Sequence, residues 1–247
     1  MIIDCHSHMG PGWLAWWKNE VTEEGFIRDY MDEYGIDKAC INYWAIYHAP
    51  DEGNDYIAEF VKRYPDRLIG FACIVPRWYK TAVQEVERAV NELDMKGLKL
   101  HPTANAWHAN SPLVYPVIEK AIELNLPMLF HSGKDEYSHP HNLGELAKRY
   151  PEAVFIMGHM GEEAVIEGIE VARQYENIFL DTTGSYNLYR ILHRAIDRVG
   201  EDRIVFGSDF PAYNPGPEIA KVRDVGLTDR QVEKIMGENM ARLLKIE

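Results

Sequence analysis

The chain has 247 residues, 46% hydrophobic and 26% charged, with a formal net charge of −13. That acidity argues against nucleic acid or an anionic membrane as a partner, since both require a basic face. No run approaches the ~18 apolar residues of a membrane span, and strand-like sequence begins at residue 2 with no basic leader before it, so neither a span nor a signal peptide is expected.

The first predicted strand, residues 2–6, runs straight into His6-Ser7-His8. Side chains alternate along a strand, so His6 and His8 share a face, and Asp4 falls on it too. Two imidazoles one pleat apart can bind one metal ion together. Thr22-Glu23-Glu24 then opens a helix over 22–34. Strands at 38–43 and 68–74 enclose a helix at 54–64. A helix at 80–93 leads to a strand at 96–101, on which Lys99 and His101 share a face.

The same alternation continues to the end. Helix 113–124 precedes strand 127–131, which ends in His131, and helix 143–150 precedes strand 153–158, which His159 follows. Helix 162–175 precedes strand 177–181, ending in Asp181, and helix 188–199 precedes strand 203–207, followed by Ser208-Asp209. A Pro-rich loop at 211–217 and a final helix at 228–245 complete the chain. Tyr64-Pro65 and Tyr150-Pro151 mark helix exits, because the residue before a proline avoids the helical conformation.

Eight β-α units without a long linker predict one domain over 1–247, a (β/α)8 TIM barrel with an extra C-terminal helix. The competing doubly wound sheet calls for a Gly-rich phosphate loop after the first strand, where His-Ser-His-Met-Gly-Pro stands instead. Barrel chemistry sits at the C-terminal ends of the strands. His6, His8, His131, His159 and Asp209 all fall at such ends, on strands one, five, six and eight. Cys5, Cys40 and Cys73 lie inside predicted strands with no Cys-x-x-Cys spacing, so buried free thiols and a reducing, cytoplasmic compartment are expected.

These marks resemble the amidohydrolase superfamily of metal-dependent barrels. Gly97-Leu98-Lys99-Leu100-His101-Pro102, Gly158-His159-Met160-Gly161, Phe206-Gly207-Ser208-Asp209-Phe210-Pro211 and Ile235-Met236-Gly237-Glu238-Asn239 narrow the resemblance to its "amidohydrolase 2" branch, over essentially the whole chain. That branch includes aminocarboxymuconate-semialdehyde decarboxylase and γ-resorcylate decarboxylase, along with hydratases and hydrolases. The resemblance implies that His131 and Asp209 join His6 and His8 as metal ligands. The donor set suits one divalent ion, with Zn²⁺ expected first and Mn²⁺ or Fe²⁺ as alternatives. It also implies that His159 moves protons rather than binding metal, and that homodimers are to be expected. A carboxylated Lys99 bridging two metals is the alternative found in binuclear relatives. The one-metal pattern favours Lys99 as a substrate or supporting contact.

Asp4 is expected to support a histidine ligand, and Asp181 to play a structural or supporting part. His101, Arg77, Trp44 and Trp107 are candidate substrate contacts. Trp13, Trp16, Trp17, Tyr47 and Trp78 join the two tryptophans in or near the loops after strands one to four, where they suggest an aromatic-lined mouth. Lys134 and Arg190 are further candidate carboxylate binders. His48, His108, His139, His141 and His193 receive no ligand role. The expected activity is hydrolysis of an ester, lactone or amide carbonyl of a small unsaturated or aromatic carboxylate by metal-activated water, with His159 and Asp209 carrying protons. The alternative is non-oxidative decarboxylation of such an acid, for which Arg77, Lys99 or Lys134 would hold the carboxylate. A non-catalytic ligand-binding barrel ranks below both.

Overall fold

The computed structural model describes residues 1–10, 21–43, 50–184 and 189–246. Eight strands pair in chain order: β1 (Ile3–Met9), β2 (Lys38–Tyr43), β3 (Leu68–Cys73), β4 (Gly97–Leu100), β5 (Met128–Phe130), β6 (Phe155–Met157), β7 (Ile178–Asp181) and β8 (Ile204–Val205). Every pairing is parallel. The end of β8 returns to β1 through main-chain bonds: Cys5 N to Phe206 O at 2.9 Å, Asp209 N to His6 O at 2.7 Å and His8 N to Phe210 O at 2.7 Å. The fold is a TIM barrel, in line with the segment alternation.

Two hydrophobic layers hold it. Cys5, Cys40, Phe71, Leu129, Ile156, Phe179 and Val205 fill the barrel, and Met240 and Ala241 of the C-terminal segment pack into the same cluster. A larger layer lies between strands and helices and includes Phe26, Tyr30, Phe60, Ile118 and Leu146. Asn239 donates to the Ile204 and Glu201 carbonyls at 2.8 and 2.7 Å, so the C-terminal segment is hydrogen-bonded to β8 as well as packed on it. All three cysteines are free and buried, as expected. Among the described residues no helix is long and apolar enough to cross a membrane.

Two of the departures from the sequence reading concern the segments that follow β8 and β6. The stretch read as a Pro-rich loop ends in a helix, Pro215–Arg223, whose start Asn214 caps by accepting from Gly216 N. Proline at the first helical position gives up an N–H that has no intrahelical partner there, so it starts this helix rather than excluding it. The helix after β6 begins at Val165 rather than at residue 162. His159, Met160, Gly161 and Glu162 all have positive φ (57°, 50°, 95° and 51°), a left-handed turn that precedes the helix.

The pairing of β1 with β2 contains a bulge. Asp4 lies opposite Ala39 and Ser7 opposite Ile41, so Cys5 and His6 together face the single residue Cys40. Cys5 packs in the barrel interior, His6 and His8 are inward as well, and Asp4 turns outward to Tyr30 in the helix-side layer. The expectation that Asp4 shares the face of His6 and His8 is therefore corrected. Strict alternation fails where one extra residue enters the strand.

Candidate metal centre

His6 and His8 on β1 and Asp209 after β8 bring one donor atom each within 4.8 Å of one another, and all three are buried. Each imidazole is oriented from behind. His6 Nδ1 lies 2.7 Å from Asp181 Oδ2 at the end of β7. Burial alone would raise the Asp181 carboxyl, but the His6 imidazole, its hydrogen bond and His159 bring it down to about 2. An ionised carboxylate only accepts, so Nδ1 carries the proton and the His6 Nε2 lone pair faces the barrel axis. His8 Nδ1 lies 2.8 Å from Asn42 Oδ1, while Asn42 Nδ2 donates to Ser7 O at 3.0 Å. That arrangement directs the amide oxygen to His8 and its Nε2 lone pair to Asp209.

His8 Nε2 and Asp209 Oδ1 are 2.7 Å apart. With Nδ1 protonated, both atoms are acceptors, and two acceptors at that distance require a cation, either an extra proton or a metal ion. Burial followed by weaker countervailing bonds from Asp209 lowers the His8 pKa below its ordinary 6.5, which disfavours the extra proton. The donor set therefore fits a divalent metal.

Three further imidazoles, His159, His131 and His101, extend from the trio. His6 lies 5.1 Å from His8 and 5.1 Å from His159, His159 lies 4.9 Å from His131, and His131 stacks on His101 at 3.9 Å. His131, expected as a ligand, stands outside the tight trio, with its Nδ1 3.1 Å from His159 Nε2. Burial pulls His101 and His131 well below 6.5, and it lowers His6 and His159 as well. His159 Nδ1 is buried and has no hydrogen-bond partner among the described residues. Gly158 lets the chain approach β5 before His159, since a Cβ there would stand 2.7 Å from Phe130 O.

Lys99 on β4 is 2% exposed and places Nζ 2.6 Å from His6 Nε2. Burial pulls its pKa down from 10.5 against the attraction of Asp209 and Asp181. The other candidate cations are elsewhere. Arg77 is exposed and donates to Asn105 O at 3.2 Å, Lys134 is exposed and pairs with Glu163 at 3.0 Å, and Arg190 lies on an exposed helix face. Trp107 is buried against Phe130, its indole N–H without a partner among the described residues, and Trp78 is exposed. Trp13, Trp16, Trp17, Trp44, Tyr47 and His48 lie outside the described residues.

Asp4 bonds the His6 main-chain N–H at 2.8 Å rather than an imidazole. The supports of the two ring nitrogens are Asp181 and Asn42. The sequence reading named Asp181 without a partner and missed Asn42, whose only signal was a polar residue near the end of a predicted strand. Glu162 was also missed. It is three residues beyond His159 on the left-handed turn, its Oε2 lies over Gly133, and it interacts electrostatically with His159.

The amidohydrolase family model matches residues 3–246. The chain belongs to the amidohydrolase family. Among its relatives is the γ-resorcylate decarboxylase of Polaromonas sp. strain JS666, 24% identical over 279 residues, covering 87% of this chain and 85% of that protein. Another is the 2-amino-3-carboxymuconate-6-semialdehyde decarboxylase of Dictyostelium discoideum, 21% identical, covering 94% and 77%. A solved dihydroxybenzoic acid decarboxylase from Polaromonas sp. JS666, with bound manganese and the inhibitor 2-nitroresorcinol, superposes with a TM-score of 0.81 at 20% identity over 99% and 96% of the two chains. The expected hydrolysis is overturned by these findings, because relatives that span most of this family member are decarboxylases. The motifs shared with the whole branch identify a scaffold on which several reactions run, so they did not discriminate. Zinc as the first-choice metal likewise finds no support beside a manganese-bound neighbour.

Proposed function

We propose that this chain is a metal-dependent, non-oxidative decarboxylase of a small aromatic or unsaturated acid. The observation that carries the reading is Lys99, a buried cation beside the donor trio and 2.6 Å from His6 Nε2. A substrate carboxylate beside Lys99 would offset the cost of burying the lysine, as decarboxylation of an acid requires. The relatives named above support the same reading.

His6, His8 and Asp209 would hold the metal, with His131 as the further donor that the family pattern implies. Manganese is the first metal to try. When bound, the ion would supply positive charge that draws the acid into place and stabilises negative charge developing on it. Lys99 contributes a second positive charge to the carboxylate. His159 stands beside both His6 and His131 and serves as the proton donor. A proton passes from its imidazole to the carbon bearing the carboxylate, the bond to the carboxyl carbon breaks, and its electron pair stays on the protonated carbon as CO₂ leaves. Asp209 and Asp181 favour reprotonation of that imidazole against the effect of burial, and Glu162 interacts with it electrostatically.

The test is a paired screen with Mn²⁺-loaded protein. Dihydroxybenzoates and unsaturated dicarboxylates are followed by CO₂ release, and esters and lactones by acid release. CO₂ release that disappears in His159→Asn supports the reading. Turnover of esters or lactones alone would sink it.

A further inference from the structure

We propose that Tyr30 and Asp4 form a positioning pair that sets the spacing between the two strand ends that carry the metal donors. The inference rests on His6, His8 and Asp209 being those donors. The bulge in β1 draws Asp4 out of the donor face and into the seam where the barrel closes. There one carboxylate oxygen accepts from His6 N at 2.8 Å and from Ser208 N at 3.1 Å. A single oxygen thus ties β1 to the segment leading into Asp209. The other oxygen accepts the Tyr30 hydroxyl.

Tyr30 grips the opposite side of Asp209. Its ring lies flat on Phe210 at 4.1 Å with an interplanar angle of 1°, and Phe26 meets both rings edge-on at 4.8 and 5.6 Å. The Tyr30 hydroxyl is also 3.4 Å from Ser208 Oγ, which accepts from Phe210 N at 3.1 Å. Both neighbours of Asp209 therefore rest on the pair. Asp209 needs that hold, because its φ of 56° is a left-handed conformation that a non-glycine residue keeps only when its surroundings impose it. Tyr30 and Asp4 are both fully buried, and their hydrogen bonds run to the His6 main chain, to Ser208 and to each other, so they act through the main chain.

The experiment measures Mn²⁺ dissociation constants by electron paramagnetic resonance on metal-stripped full-length protein. Tyr30→Phe keeps the ring stack and removes only the hydroxyl. Tyr150→Phe is the control, since its hydroxyl bonds Glu119 at 3.1 Å on the helix side. Near-ultraviolet circular dichroism reports the folded fraction of each sample. The expected result is an affinity about 10-fold weaker in Tyr30→Phe, at wild-type folded fraction, and unchanged in Tyr150→Phe. Combined with Asp4→Asn, the loss should be less than additive, as for two residues acting as a unit. Wild-type affinity in Tyr30→Phe, or strict additivity, overturns the inference while the donor reading stands. A wild-type protein that binds no Mn²⁺ overturns the donor reading, and the inference with it.

Discussion

The Asp181 carboxylate and the His6 imidazole meet at 2.7 Å inside the barrel, with both side chains sealed from solvent. The same carboxylate lies 3.4 Å from the His159 main-chain N–H and accepts from the Thr183 main chain at 2.8 Å. One anion therefore orients a proposed metal donor and the backbone of the proposed proton donor. Asp181→Asn preserves the shape but lets His6 rotate or change tautomer. Metal affinity should fall 10- to 100-fold, as for other supports of ligating histidines. Mn²⁺ titration checks this, and an unchanged affinity would leave Asp181 with a purely structural part.

Gly207 makes room for that contact. A Cβ there would overlap the Asp181 carboxylate and the Thr183 hydroxyl and stand 3.0 Å from His6 Cβ. Gly207→Ala should cost about 1–3 kcal/mol of stability, the usual range for overpacking, and should also weaken the metal. Urea unfolding of the stripped and loaded proteins separates the two effects. Equal losses in both forms would mean that the metal site does not feel the substitution.

In metal-free protein the buried imidazoles should cost stability as pH falls below 6.5. Asp4, raised to about 7 by burial, works in the opposite direction between about 7 and its unfolded value near 3.8, and the five imidazoles should outweigh it. His6, His8, His101, His131 and His159 all have folded pKa values below 6.5, with burial as the first cause in each case. Below 6.5 the unfolded chain binds protons that the folded chain refuses, so unfolding gains about 1.4 kcal/mol per pH unit for each such imidazole, at most. The loss begins near pH 6.5 and continues downward until the folded pKa values are reached. Asp181, at about 2, adds its own loss only under far more acidic conditions. Melting temperatures at pH 7.5, 6.5 and 5.5 for wild type and Asp4→Asn test this, and an Asp4→Asn protein whose stability does not fall with pH would show that the imidazoles are solvated rather than buried.

Mn²⁺ should raise the melting temperature at pH 7.5, because it binds the folded donor set and not the unfolded chain. At 100 times its dissociation constant the gain is about 2.7 kcal/mol. Calorimetry with and without chelator reads it directly. His8→Ala should abolish the increment, and a surviving increment would place the ion elsewhere.

Lys99→Met removes a buried ammonium of similar length. Stability of the stripped protein should stay level or rise, since an incompletely paired buried charge is costly. Decarboxylation should fall at least ~100-fold as the substrate carboxylate loses its partner. Wild-type rates in Lys99→Met would assign the carboxylate to another cation.

The barrel was legible in the chain because strand period, helix stops and strand-end placement are local, and eight successive units repeat them. His6, His8 and Asp209 stood out for the same reason: each ends an apolar run, and barrel geometry gathers such ends at one rim. The partners of those residues were not legible. Asp181 reaches His6 across 175 residues and Asn42 reaches His8 across 34, and no local pattern encodes either distance. The outward turn of Asp4 was hidden too, because a bulge depends on how β1 pairs with β2, whereas alternation depends on β1 alone. Sequence by itself determined the scaffold and gathered the candidate donors at the strand ends. Tertiary structure alone decided which lone pairs face one another, which cation lies beside them and which carboxylate holds them there, because those are relations between strands that only closure of the barrel brings together.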